Sequence, residues 1–206
     1  MLIDLEPLLF LGWLAVIGGL LNTVGDWRML GFPIAGKEFA LEMIKDKPLN
    51  HVVFGVYIAM GAIPLWFGII FATLYLLRNS PVWVQATVSV STLLFIMFSF
   101  VYHIAHIFYD IGCRNDDAPN IERTLAEMKR MRTFLMPISL IMALGLIVGG
   151  ILGGAPIWWI VFNPFVITIL ILLISRAAPA PIGGYLLPGG FSLGWTLFCL
   201  VTMLAV

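Results

Sequence analysis

The chain has 206 residues, of which 61% are hydrophobic and 11% are charged, and its mean hydropathy is +1.05. This composition lies far from that of soluble domains, and the equal numbers of basic and acidic residues, 11 of each, argue against a general affinity for nucleic acid. The apolar residues fall into runs of about 20 residues or more, the length of helix that crosses a bilayer. The sequence therefore predicts an all-α integral membrane protein.

Six apolar runs follow one another along the chain. We predict one transmembrane domain over residues 1–206, with spans at about 8–26, 51–77, 82–112, 133–153, 157–176 and 187–206. The first run is preceded by two acidic residues and no Lys or Arg, unlike the basic start of a secretory signal. We therefore interpret it as a permanent helix.

Basic residues concentrate in alternate loops. Arg78 alone lies on one side, whereas ten lie in the first, third and fifth loops: Arg28, Lys37, Lys45, Lys47, Arg114, Arg123, Lys129, Arg130, Arg132 and Arg176. The positive-inside rule then places these three loops in the cytoplasm and both termini outside. A multi-pass protein of the inner (plasma) membrane is expected.

Three connecting segments carry structural patterns. Residues 36–47 (GKEFALEMIKDK) alternate apolar and charged residues at helical spacing, which predicts a short helix on the membrane surface. Residues 120–132 (NIERTLAEMKRMR) repeat the pattern and are predicted to extend the fourth helix, with Asn120 as its N-cap. Residues 178–190 (APAPIGGYLLPGG) are rich in Pro and Gly, and we consider a loop that dips into the bilayer.

Small and kinking residues interrupt the spans. Gly145, Gly149 and Gly153 recur every four residues, a spacing typical of close helix packing. Pro64 and Pro164 are predicted to kink their helices, and Asn163 is expected to form a hydrogen bond to a neighbouring helix.

The third span carries one stripe of polar residues. At about 100° per residue its members fall within about 60° of one another on the helix: Ser99, His103, His106 and Asp110. Ionisable groups at such depth usually face the bundle interior and have partners there. The topology supplies candidates at the same leaflet, namely Asn22 and Asp26 on the first span, Arg28 at its end, and His51 at the start of the second.

These residues suggest a chemistry. Two histidines three residues apart, with a third histidine and carboxylates from other helices, form a ligand set that suits zinc or iron. Our leading hypothesis is a membrane-embedded hydrolase with zinc as the candidate cofactor. His51, His103 and His106 would bind the metal, and Asp26 and Asp110 would act as base or as further ligands. Ser99 would bond the ligand or stabilise an oxyanion, and Asn22 and Arg28 would bind substrate.

The expected substrate is an amphipathic or lipid-like molecule that enters from the cytoplasmic leaflet. Three other interpretations stay open. The polar residues are purely structural and bond across helices, or they relay protons or hold a headgroup in a small transporter or lipid-binding protein. The third is a structural subunit whose polar stripe packs against a partner's helix.

Two resemblances add to these interpretations. The GDW at 25–27, the HVVFGVYIAMGAIP that begins the second span and the FVYHIAHIFYDIG that ends the third resemble a family of small multi-span bacterial membrane proteins of unknown function. Ser99, His103 and a later aspartate are similar to elements of the membrane hydrolase superfamily that includes alkaline ceramidases and adiponectin-receptor-like proteins. That second resemblance implies a zinc site within seven helices. The superfamily also has two histidines in its last helix, where this chain has none, so His51 and His106 would have to replace them.

Overall fold

A computed structural model describes residues 5–32, 44, 46–155 and 157–205, with their side chains except those of residues 5–9, 71, 72 and 205. The regular elements in these ranges are α-helices, and no strand occurs among them. They are α1 (Leu5–Leu30), α2 (Leu49–Trp66), α3 (Gly68–Leu76), α4 (Val82–Arg114), α5 (Ala118–Gly153), α6 (Ile157–Val161), α7 (Pro164–Ala177) and α8 (Ile182–Ala205). The predicted all-α fold is confirmed.

Five helical stretches are long and apolar enough to cross a membrane. They are Phe10–Leu30, Leu49–Leu76, Val82–Arg114, Ala118–Gly153 and Ile182–Leu204. Many large apolar side chains on these stretches point away from the bundle, such as Phe54 at 52% exposure and Leu204 at 71%. Because such surfaces are unfavourable in water, these helices indicate a membrane protein, as predicted.

The predicted fifth span, 157–176, is not one helix. It divides into α6 of five residues and α7 of 14 residues, which is shorter than a bilayer-crossing helix. Asn163 explains the division, because its side-chain oxygen accepts a hydrogen bond from the Phe165 N–H and so caps α7, with Pro164 in the first turn. Its side-chain amide donates to the Ala143 carbonyl on α5, so the predicted bond to a neighbouring helix is confirmed.

Prolines and a cap set the other boundaries. Pro48 and Pro81 precede α2 and α4. Pro64, where a kink is predicted, lies inside α2, which ends two residues later at Trp66. Helix α5 extends through 120–132 as predicted, but its cap is Asp117 rather than Asn120, since the Asp117 carboxylate accepts from the Asn120 N–H. With 36 residues α5 is about 54 Å long, well beyond the roughly 30 Å hydrocarbon core.

Two loop predictions have different outcomes. The surface helix predicted at 36–47 lies mostly outside the described residues. The membrane-dipping loop predicted at 178–190 is wrong for most of its length, because α8 begins at Ile182 and continues through Pro188. A loop in lipid would leave backbone N–H and C=O groups without partners, and in α8 most of these groups are paired within the helix.

Helix α1 contacts three other helices, α2, α3 and α8. Helix α4 packs on α5, and α7 packs on α8. The contact between α1 and α2 is close: a Cβ atom at Gly25 would lie 2.7 Å from the Gly55 carbonyl oxygen, and one at Gly55 would lie 2.9 Å from that of Gly25. Glycine at both positions therefore lets the two backbones meet.

The glycines of α5 also serve packing, as predicted. A Cβ atom at Gly145 would lie 2.6 Å from Val88, one at Gly149 would lie 2.5 Å from Leu77, and one at Gly153 would lie 2.8 Å from the Ser80 hydroxyl. The four-residue repeat thus fits α5 against α4 and the segment before it.

The substitution Gly25→Ala tests the α1–α2 contact. Its Cβ would meet the backbone of Gly55 and Ala59, which cannot move without shifting α2, so we expect the free energy of unfolding to fall by about 1–3 kcal/mol. Thermal unfolding in detergent measures the change. Gly61→Ala, at an exposed position of α2 with no atom within 4 Å of the added Cβ, is the matched control and should lose nothing. An unchanged melting temperature for Gly25→Ala would contradict the close contact.

Candidate functional site

Helices α1, α2, α4, α5 and α8 enclose a cavity of about 240 Å³. Most of its lining is apolar, with Trp66, Phe95 and Phe191 as the large aromatic side chains. The polar residues that line it are Asn22, Asp26, Ser99, Tyr102, His103, His106 and Ser192. The cavity therefore combines apolar volume with one group of polar side chains inside a membrane bundle.

An ion pair between α1 and α4 is the centre of that polar group. His103 Nε2 lies 3.0 Å from Asp26 Oδ1, and both residues are only 8% exposed. The Ser192 hydroxyl of α8 donates to Asp26 Oδ2 at 2.7 Å, and the Asn22 amide donates to the same oxygen at 3.4 Å. Three helices thus meet at one carboxylate.

The hydrogen bonds fix how many protons the pair holds. His103 Nδ1 lies 2.6 Å from the Ser99 carbonyl oxygen, which can only accept, so Nδ1 carries a hydrogen. A second hydrogen must lie between Nε2 and Asp26 Oδ1, which gives a pair with no net charge.

His106 lies one turn further along α4 and is 1% exposed. Its Nδ1 lies 2.9 Å from the Tyr102 carbonyl, and the Tyr102 ring meets the His106 ring edge-on at 4.8 Å between centroids. Its Nε2 is buried and has no hydrogen-bond partner among the residues that the structure describes. His106 belongs to the lining of the cavity, although Nε2 itself has almost no accessible surface there.

Asp110 belongs to a second polar group, at the end of α4. It is fully buried and forms an ion pair with Arg114, whose Nε lies 2.9 Å from Oδ1. The Arg114 guanidinium also donates to the carbonyls of Ile44 and Lys47, which holds the end of the first loop on α4. Asp110 does not line the cavity, so the predicted single cluster divides into two groups.

Two further predicted site residues, His51 and Arg28, lie outside the cavity. His51 is exposed in the first turn of α2, and Arg28 is exposed with its guanidinium 5.0 Å from the Phe54 ring centroid. Ser99 and Asn22 do line the cavity. The structure thus brings together Asn22, Asp26, Ser99, His103 and His106, but not His51, Arg28 or Asp110.

The predicted metal site is not assembled as a three-histidine set. Within the part of the chain that the structure describes, no three His, Cys, Asp or Glu side chains come together in a group that could hold a metal ion. Asp26 and His103 are the two predicted ligand or base residues that contact each other. Zinc binding and hydrolysis stay predictions.

Sequence reasoning missed Ser192 and Trp66. Ser192 is a polar residue within an apolar helix, which is a signal, but nothing in the sequence placed α8 beside Asp26. Trp66 is one apolar residue among many in its span, and the structure shows it 4% exposed and lining the cavity. No family model matches the chain, and neither a curated protein nor a solved structure matches it.

Lys47 offers a test of the contacts at the end of the first loop. Its ammonium donates to the Arg28 carbonyl at 2.9 Å and lies 4.5 Å from the Phe32 ring centroid. Burial, and then the nearby charge of Arg28, lower the pKa of Lys47 from its ordinary 10.5 to about 8.

We therefore expect acylation of Lys47 by acetic anhydride to rise with a midpoint near pH 8, measured by mass spectrometry after digestion. Exposed Lys129 of α5 is the reference lysine in the same digest. In Phe32→Ala, which uncovers the ammonium, the midpoint should move upward. A midpoint near 10.5 in the unmodified sequence would show that Lys47 is not held in this position.

Proposed function

We propose that this protein binds a small amphipathic molecule inside the membrane, with the Asp26–His103 pair as the polar side of its binding cavity. The observation that carries the proposal is the placement of this pair. It lines a cavity of about 240 Å³ whose other surfaces are mainly apolar, including Phe95 and Phe191. Binding pockets combine apolar surface with a few fixed polar groups in this way.

Stability alone gives little reason for an ion pair at this place. Removing two charges from water costs several kcal/mol for each ion, and apolar replacements of buried pairs are often neutral or stabilising. Ionisable residues in membrane spans therefore usually mark a functional site. Asp26 and His103 also leave the neighbouring space unfilled, whereas a purely structural bridge between helices needs no cavity beside it.

The proposed topology has six crossings in the inner membrane, both termini outside, and the first, third and fifth loops in the cytoplasm. The division of basic residues supports it, and α6 and α7 together would form the remaining crossing. The pair and the cavity would then open towards the cytoplasmic leaflet.

Single cysteines test this topology after Cys113 and Cys199 are replaced by Ala. Asn79→Cys and Asn115→Cys occupy exposed positions in the second and third loops. A membrane-impermeant maleimide added to intact cells should label Asn79→Cys alone, because the third loop would be cytoplasmic. Both should be labelled after lysis. Labelling of Asn115→Cys on intact cells would overturn the orientation.

Binding is tested with 4-fluorobenzyl alcohol as probe, followed by ¹⁹F NMR on protein in lipid nanodiscs, with empty nanodiscs to subtract partition into lipid. We expect saturable binding to the protein. Ser99→Phe places a ring in the cavity and should weaken binding at least about tenfold, since it removes the occupied volume. Met97→Phe adds a ring at an exposed position of α4 and is the matched control. Binding that is not saturable, or that survives Ser99→Phe, would reject the proposal.

A metal-dependent hydrolase is the second candidate, and the Asp26–His103 contact favours it. A carboxylate oxygen and an imidazole nitrogen, two donors that zinc accepts, lie 3.0 Å apart at the cavity. If the purified protein contained one zinc ion per chain and His103→Ala lost it, the hydrolase role would replace the binding role. Proton-linked movement of a ligand is a further use of the same pair, and a proteoliposome flux unchanged by Asp26→Asn would exclude it.

A further inference from the structure

Two basic residues, Arg28 and Lys47, meet where α1 ends. The Lys47 ammonium donates to the Arg28 carbonyl at 2.9 Å and to the Trp27 carbonyl at 3.4 Å, which leaves one of its three N–H groups unused. Burial, and then the charge of Arg28, lower the pKa of Lys47 to about 8, so the two positive charges act on each other. Within the part of the chain that the structure describes, neither residue takes part in an ion pair, and Asp46, exposed beside Lys47, takes part in none either. Two like charges are thus held together without a protein anion between them.

The Arg28 guanidinium is exposed and has a fixed position. Its central carbon lies 5.0 Å from the centroid of the Phe54 ring on α2, and this ring is on the surface, since Phe54 is 52% exposed. Arg78, at the far end of α3, also lies over an aromatic ring, but its guanidinium donates to the Tyr75 carbonyl. No such bond to the described part of the protein occupies the N–H groups of Arg28. These groups are therefore available to an acceptor outside the protein.

The length of α1 places Arg28 at the level of the lipid headgroups. The apolar stretch Phe10–Leu30 has 21 residues and is about 30 Å long, which matches the hydrocarbon core of a bilayer. Arg28 is two residues from the end of this stretch. A guanidinium in this position reaches the interface of one leaflet, where the lipid phosphates lie.

Two rows of exposed apolar side chains lead from Arg28 towards the middle of the bilayer. They are Ile17, Leu21 and Val24 on α1 and Phe54 and Tyr57 on α2, each three or four residues from the next in its row. Because Arg28 of α1 lies over Phe54 of α2, the two rows are side by side at this end. Gly61 continues the α2 row, and a Cβ atom there would meet nothing within 4 Å. This surface offers space and apolar contact to hydrocarbon chains below the two charges.

We infer that Arg28 and Lys47 bind the phosphate of an anionic phospholipid, whose acyl chains lie against the exposed apolar rows of α1 and α2. Arginine and lysine N–H groups form strong, charge-assisted hydrogen bonds to phosphate oxygens. A headgroup with a net negative charge fits better than a zwitterionic one, because two cations without a protein anion are present and the amine of a zwitterion would add a third. None of these residues lines the cavity, so the site does not depend on the binding function proposed above.

Native mass spectrometry of the purified, delipidated protein in a neutral detergent tests the class of lipid. The protein is titrated with phosphatidylglycerol, which carries a net negative charge, or with phosphatidylcholine, which carries none, with identical acyl chains. We expect the first phosphatidylglycerol to bind about tenfold more tightly than the first phosphatidylcholine, as two basic residues at a membrane surface allow. Glycerol phosphate in large excess should not displace it, since the headgroup alone lacks the chains.

Variants assign the preference to the two residues. Arg28→Gln and Lys47→Gln each remove one charge and should lower the ratio of phosphatidylglycerol to phosphatidylcholine affinity several-fold, whereas Arg28→Lys keeps the charge and should retain most of it. Arg78→Gln removes an exposed arginine that also lies over a ring, and Lys129→Gln removes an exposed lysine. These two are the matched controls and should leave the ratio unchanged.

Each contrary result overturns a stated part of the inference. Equal affinity for the two lipids overturns the anionic class. A preference that survives the double variant Arg28→Gln/Lys47→Gln, or that falls as much in Arg78→Gln as in Arg28→Gln, overturns the location and indicates a general effect of charge. Displacement of the lipid by glycerol phosphate shows a site for soluble anions and overturns the role of the apolar rows. Binding of a ligand in the cavity is measured separately and is unaffected by all of these outcomes.

Discussion

The absence of water in the bilayer core is the constraint from which most of this structure follows: each polar group at depth must find its partner within the protein. The broken helix at Asn163 meets this demand with a cap and a bond to Ala143. The end of the first loop meets it through Arg114, which donates to two loop carbonyls. Asp26 meets it through donors from α4 and α8.

A close packing contact and a polar contact lie on the same turn of α1. Gly25 brings the backbone of α1 against that of α2, and the next residue, Asp26, reaches the opposite helices α4 and α8. The position of the carboxylate therefore depends on how closely α1 and α2 approach. A larger residue at position 25 would push α1 away from α2 and towards the ion pair. A change at the α1–α2 contact would therefore also alter the cavity. The GDW segment thus joins a packing contact to a residue that lines the cavity.

Much of the fold could be predicted from hydropathy, because each long helix contains an apolar run that is visible in the sequence without knowledge of its neighbours. The fifth span could not, since the Asn163–Pro164 pair forms a cap that ends one helix and starts another. The meeting of Asp26 with His103 was predictable because the predicted topology places both residues towards the same side of the membrane. His51 and Asp110 were wrongly placed in the site, because groups near helix ends can reach water or a nearby charge instead. His51 is exposed, and Asp110 pairs with Arg114 four residues later. Ser192 depended on tertiary packing that no local pattern encodes.

The ion pair also has a consequence for the order in which the protein is made. Asp26 precedes its partner His103 by 77 residues and Ser192 by 166, so α1 is synthesised long before either partner exists. The α1 stretch has the lowest mean hydropathy of the five long apolar stretches, 1.2, and it carries this carboxylate unpaired at first. Such a helix gains its full stability in lipid only when α4 and α8 arrive beside it. The newly made first helix therefore carries a carboxylate whose partners on other helices are added to the chain only with α4 and α8.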